Sequence, residues 1–105
     1  MKAIKIDSDK KKVYEVELTD SDQINHLVNG SKETAHRFKT GDILFVDGDG
    51  AYSDRGQFKI GSNRYGWKTF HGNGVVVNKP QWEWASAIKT VDEIRRIVKF
   101  LKSKK

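Results

Sequence analysis

Residues 41–50 read GDILFVDGDG, and the four residues at the heart of this stretch, Ile43, Leu44, Phe45 and Val46, offer no polar face. A strand that is half exposed to water alternates apolar and polar residues, whereas one that is apolar throughout has both faces covered. The stretch therefore belongs at the centre of a sheet or in the wall of a barrel. Val75, Val76 and Val77 form a second apolar run. The Asp-Gly pairs that follow Val46 read as a turn, because they tolerate positive φ and both flanks are extended. A calcium loop starting at Asp47 fails: its fifth, sixth and twelfth positions hold Ala51, Tyr52 and Phe58 instead of an oxygen ligand, glycine and glutamate.

Working outward, Ile4 and Ile6 alternate with Lys5, and Tyr14, Val16 and Leu18 alternate with Glu15 and Glu17. These predict a β-hairpin with its turn around residues 8–11. Residues 20–29 change period. Ile24, Leu27 and Val28 fall at helical spacing, Asp20 or Ser21 can cap the first turn, and Gly30 offers a left-handed stop. Further strands are expected near residues 34–39, 42–47, 57–61, 65–70 and 73–78, each bounded by Gly, Asp or Asn. Trp82 and Trp84 share one face of another extended piece, with Pro80 at its edge.

The last segment predicts an amphipathic helix over residues 90–105. Thr90 and Glu93 form a capping box, and Ile88 is placed to reach Ile94 as a staple. At helical spacing Val91, Ile94, Ile97, Val98 and Leu101 make one apolar stripe, whereas Arg95, Arg96, Lys99 and Lys102 share a separate arc. The stripe makes this helix part of the core. The segment also holds most of the excess charge: from residue 89 onward there are seven Lys/Arg against two acids, whereas residues 1–88 hold thirteen against twelve.

One domain of 105 residues is large enough to bury a core without staples. There are no cysteines, which excludes disulfides and thiolate zinc sites. The charged opening excludes a signal-peptide core, and no stretch has the roughly 18 apolar residues of a membrane span, so a cytoplasmic protein with no membrane partner is expected. The fold class expected is α+β: a twisted, mainly antiparallel sheet of five to seven strands, flat or curled toward a barrel, with a short first helix and the basic last one.

For function, the glycines match neither a phosphate-binding loop nor a dinucleotide fingerprint. The three histidines, His26, His36 and His71, have no metal-ligand spacing, no serine sits in a nucleophile elbow, and Asp7, Asp9, Asp47 and Asp49 are ordinary turn carboxylates. No catalytic residue, metal or cofactor is expected. Two binding surfaces are candidates. The arc of Arg95, Arg96, Lys99 and Lys102 can meet nucleic acid or an acidic partner. Four phosphate contacts alone would lose roughly a hundredfold in affinity between about 50 and 200 mM salt, so a merely solvated face is the plainer reading. Aromatic and basic residues also interleave around Arg64, Tyr65, Trp67, Lys68, Phe70 and His71, then Trp82 and Trp84. On an open sheet such rings stack bases. In a small domain they more often fill the core.

Residues 1–7 (MKAIKID), 42–50 and 72–77 (GNGVVV) together resemble a small phage- and plasmid-borne domain family of unknown function, over most of residues 1–78. The tryptophan pair and basic helix depart from that family's pattern. The resemblance implies a mobile-element origin and supplies no catalytic residues. The expectation is a non-enzymatic binding protein that engages a host protein. The alternative is a nucleic-acid-binding module built on the basic helix and aromatic residues, and an exposed edge strand or the Trp82/Trp84 face is a route to a homodimer.

Overall fold

The computed structural model describes residues 1–48, 56–64, 66–79 and 83–101. Eight described strands and two helices follow in the order β1 (Lys2–Asp7), β2 (Lys12–Glu17), α1 (Asp22–Val28), β3 (Lys32–Arg37), β4 (Asp42–Asp47), β5 (Gln57–Ser62), β6 (Gly66–His71), β7 (Gly74–Asn78), α2 (Val91–Ile97) and β8 (Val98–Leu101). Every strand pairing is antiparallel. Instead of one sheet of five to seven strands there are two, ordered β2-β1-β7-β4-β3 and β6-β5-β8. The fold is α+β, and the described strands of the two sheets do not close into a barrel.

The apolar run at residues 43–46 explains this layering. Leu44 and Val46 face Phe58 and Ile60 of the small sheet, together with Ile4, Ile6, Val76 and, from the C-terminal segment, Ile94 and Val98. Ile43 and Phe45 face the other way, with Ala3, Val75 and Val77, and are covered by Ile24 and Val28 of α1. Both faces of β4 and β7 are thus buried, as a run without polar alternation requires. Gly74 serves the first core: a Cβ there would lie 2.9 Å from Leu44 Cδ1 and 3.0 Å from the Phe58 ring. Its missing side chain lets that ring reach the large sheet.

Two seams remain where the sheets meet. Across one, the β3–β4 hairpin faces the β5–β6 hairpin. Across the other, β2 faces β8, and the Arg95 guanidinium donates to the Val13 carbonyl at 3.0 Å. Each seam is flanked by strands that, among the described residues, have a partner on only one side.

Three local expectations change. The left-handed stop of α1 is Asn29, at φ 61°, whose backbone N–H closes the helix, and not Gly30; asparagine tolerates this conformation well. Ile88 is 62% exposed and makes no staple. Most consequentially, the helix expected over residues 90–105 ends at Ile97. The capping box forms, with Glu93 N–H donating to Thr90 Oγ1 at 3.2 Å and Thr90 N–H to Glu93 Oε1 at 3.0 Å. Val98 is already extended, at φ −110° and ψ 134°, and residues 98–101 pair with β5. The reason is tertiary: a two-stranded β5–β6 ribbon is marginal alone. Val98 and Phe100 alternate with Lys99 as a strand demands, so adding β8 gives the ribbon a third strand while Val98 still reaches the core.

No helix among the described residues is long and apolar enough to cross a membrane. Because Ile94 is fully buried between the two sheets, Ile94→Ala should lower unfolding free energy by about 2–5 kcal/mol. A chain ending at Ala87 should lose cooperative unfolding altogether; urea titration followed by circular dichroism checks both.

Candidate nucleic-acid interface

The seam between β3 and β6 opens into a groove of about 770 Å³. One wall is the β3–β4 turn, where Phe38 N–H donates to the Asp42 carbonyl at 2.8 Å and Gly41, at φ 92°, donates back to the Phe38 carbonyl at 3.0 Å. The other wall is the β5–β6 hairpin. Its end is tight: a Cβ on Gly61 would lie 2.0 Å from the Gly66 carbonyl oxygen, so only glycine permits that approach. Phe38, Ile60, Phe70 and Ile97 give the groove apolar surface, with Trp67 at its margin.

The charged lining is one-sided. Arg37, Lys39, Lys68 and Lys89 line the groove beside His36, and no carboxylate does so among the described residues. Lys89 Nζ lies 5.3 Å from the Phe38 ring centre and Lys68 Nζ lies 5.5 Å from that of Phe70. These are cation–π distances, and they hold the rings and ammonium groups as paired units.

Trp67 joins the groove to the outer face of the small sheet. Its Nε1–H donates to Asn63 Oδ1 at 3.2 Å, which fixes the indole across the hairpin turn. Two ammonium groups approach this one ring: Lys99 Nζ at 4.5 Å and Lys59 Nζ at 5.5 Å. Lys59 and Lys99 are directly opposite in the β5–β8 pairing. Like charges so placed destabilise a sheet, and neither lysine forms an ion pair with a described carboxylate. An anion held between the two ammonium groups would relieve that repulsion.

A buried carboxylate anchors one side of the groove. Asp42 is fully buried, yet it forms no ion pair with a described cation. Its Oδ1 accepts from Asn78 Nδ2 at 2.8 Å and Ile88 N–H at 3.0 Å, and its Oδ2 accepts from Lys89 N–H at 2.8 Å. Burial by itself pushes this carboxyl upward. The hydrogen bonds from Ile88, Asn78, Lys89 and Thr40 together outweigh it and hold the group below the ordinary carboxylate range. The consequence for the groove is positional: the same carboxylate ties Lys89 to the strand beside the β3–β4 turn.

The expected residues are only partly brought together. Lys99 is on β8, away from the helical arc assigned to it, because residues 98–101 are strand. Arg95 and Arg96 are exposed on α2, with Arg95 paired to Asp92 at 3.3 Å. The four-cation helical face is therefore not formed. Trp84 is half-buried on the opposite side of the large sheet, its ring centre 5.5 Å from that of Phe45 and 4.6 Å from Lys79 Nζ, so it does not share a platform with Trp67. Tyr65, Trp82 and Lys102 lie outside the described residues. Arg37, Phe38, Lys39, Lys59 and Asp42 were missed by sequence reasoning. A signal existed for three of them, since residues 36–39 (HRFK) show the same aromatic and basic interleaving as residues 64–71.

No group of three or more His, Asp or Glu among the described residues is arranged to hold a metal ion. No family model, curated protein or solved structure matches this chain.

Because the Asp42 carboxyl is depressed in the folded state, its contribution to stability is fully present above the unfolded value, about 3.9, and is lost as pH falls through the folded value. Asp42→Asn should cost about 1–3 kcal/mol at neutral pH, since an amide presents a donor to backbone N–H groups. The deficit should shrink on acidification; urea midpoints from neutral pH down to about pH 2 would expose parallel profiles if another group were responsible.

Proposed function

We propose that this chain is a non-catalytic binding module that holds nucleic acid in the β3–β6 groove and against Trp67. The observation that carries the reading is one continuous surface of rings and cations without a described carboxylate. It runs from Arg37, Lys39, Lys68 and Lys89 in the groove to the Lys59–Trp67–Lys99 cluster on the small sheet. The cations supply backbone attraction, and a flat indole on an open sheet supplies sequence-tolerant stacking. The runner-up expectation drawn from sequence is thus favoured over the first, but through the sheet and not through the basic helix.

A second reading, engagement of a host protein, is favoured by one feature: among the described residues, β3 and β6 each carry an unpaired edge along the groove. An extended peptide can add to such an edge. Both readings suit a cytoplasmic protein of phage or plasmid origin, the setting that the resemblance of residues 1–78 implies.

Salt and stacking separate the two. If nucleic acid is the ligand, six cations predict a plot of log affinity against log salt with a slope near roughly −4. Trp67→Ala should cost about 1–3 kcal/mol of binding, and Lys68→Glu with Lys89→Glu should weaken it by about tenfold or more. Fluorescence anisotropy with a labelled oligonucleotide measures all three. Binding that is flat in salt and unaffected by the double reversal would reject the reading. A protein retained from lysate after nuclease treatment would then support strand addition.

A further inference from the structure

We infer that the ligand of this site is single-stranded and lies across the three strands of the small sheet, from the β3–β6 groove over Trp67 to the cleft between β2 and β8. The inference rests on the nucleic-acid reading above and specifies the ligand's form and path. Three observations carry it. First, the β3–β6 seam is not a uniform channel. Beyond the cationic groove it is lined by Glu33 and Asp47, so a polyanion following the seam lengthwise would run into carboxylates.

Second, the sideways route meets cations at every step. From Trp67 on β6 the path crosses Lys59 on β5 and Lys99 on β8; these two lysines are directly opposite each other, and Trp67, which pairs with Gly61, lies diagonal to their row. Past β8 it reaches the second cleft, of about 550 Å³, whose charged lining is Lys11, Lys12 and Arg95 with no described carboxylate. Arg95 is shared with Asp92 and with the Val13 carbonyl, whereas Lys11 and Lys12 are exposed at the β1–β2 turn and form no ion pair with a described carboxylate.

Third, the platform needs an unstacked base. The Trp67 ring has two ammonium groups near it, Lys99 Nζ at 4.5 Å and Lys59 Nζ at 5.5 Å from its centre, an arrangement that would seat phosphates on the lysines beside a base on the indole. A duplex buries its base faces in its own stack and offers that ring none. With strands spaced about 4.8 Å apart and a cleft on either side, the path is roughly 20–25 Å long. That corresponds to a footprint at the short end of the range of about 4–16 nucleotides found for small β-sheet binders of single strands.

The test compares oligothymidylates of about three and about twelve nucleotides, and a duplex of the longer length, against the wild-type chain and a Lys11→Glu/Lys12→Glu variant at fixed salt. The long single strand should bind at least about tenfold tighter than the duplex. The double reversal should weaken the long strand by about fivefold or more while leaving the short one, which fills only the groove and Trp67, unchanged. Circular dichroism checks that the variant is folded, and Lys11→Gln and Lys12→Gln singly provide the same comparison with less charge change. Equal binding of duplex and single strand, or a long strand indifferent to Lys11 and Lys12, would overturn this inference and leave the groove reading intact. Failure of every oligonucleotide to bind would overturn the reading beneath it.

Discussion

A buried carboxylate, held by amide and backbone donors and by no described cation, ties the architecture together. Asp42 begins β4, an interior strand of the large sheet, and its oxygens gather Asn78 from the neighbouring strand and the backbone N–H groups of Ile88 and Lys89. Burying an ionised group costs several kcal/mol unless its lone pairs are satisfied. Here amide and backbone donors from two separate parts of the chain, both distant in sequence from Asp42, provide that satisfaction. The charge is therefore tolerated only when β4, β7 and the segment leading into α2 are all in place. Thr90 caps α2 directly after Lys89, so the same group also sets where that helix starts and, through it, where Ile94 and Val98 enter the core.

The sheet pairing of residues 98–101 is the second constraint, and it shows where sequence reading stops. Residues 91–101 satisfy two periods at once. Val91, Ile94, Ile97 and Val98 lie on one helical face, while Val98 and Phe100 with Lys99 between them alternate as a strand. No glycine, asparagine or proline marks the boundary, so local signals favour continuing the helix. The decision belongs to β5, some forty residues earlier, whose free edge accepts Val98–Leu101. In contrast, the β1–β2 hairpin, the central strands at residues 42–47 and 74–78 and the capping box at Thr90 are written locally, in alternation, continuous apolarity and side-chain spacing. Those features were legible.

The candidate surface was legible only as composition. The interleaving of Trp67, Lys68 and Phe70 is visible in the chain, but the neighbours that give Trp67 its character are Lys59 and Lys99, brought to it by two strand registers. Cross-strand register is fixed by the burial of Phe58 and Ile60 against the large sheet, a property of the assembled core. Trp84 shows the converse. Its spacing from Trp82 suggested a shared platform, yet its ring packs toward Phe45, because the second face of the large sheet needs cover beyond what seven residues of α1 provide.

Net charge summed along the chain also hides where charge collects. Residues 1–88 are almost balanced, which argues against a polyanion site if charge is simply summed by segment. Folding sorts the charges instead. Glu15 and Glu17 are exposed on β2, and Asp20 and Asp22 at the start of α1, while Arg37, Lys39, Lys59, Lys68 and Lys89 collect around the groove and Trp67. Potential at a surface depends on this distribution and on the low-dielectric walls that focus it, not on the sum. The opposed Lys59 and Lys99 are the clearest mark of the sorting. A sequence selected for stability alone would place a carboxylate or a neutral residue at one of them, and the repulsion they retain is what an anionic backbone lying over Trp67 would convert into attraction.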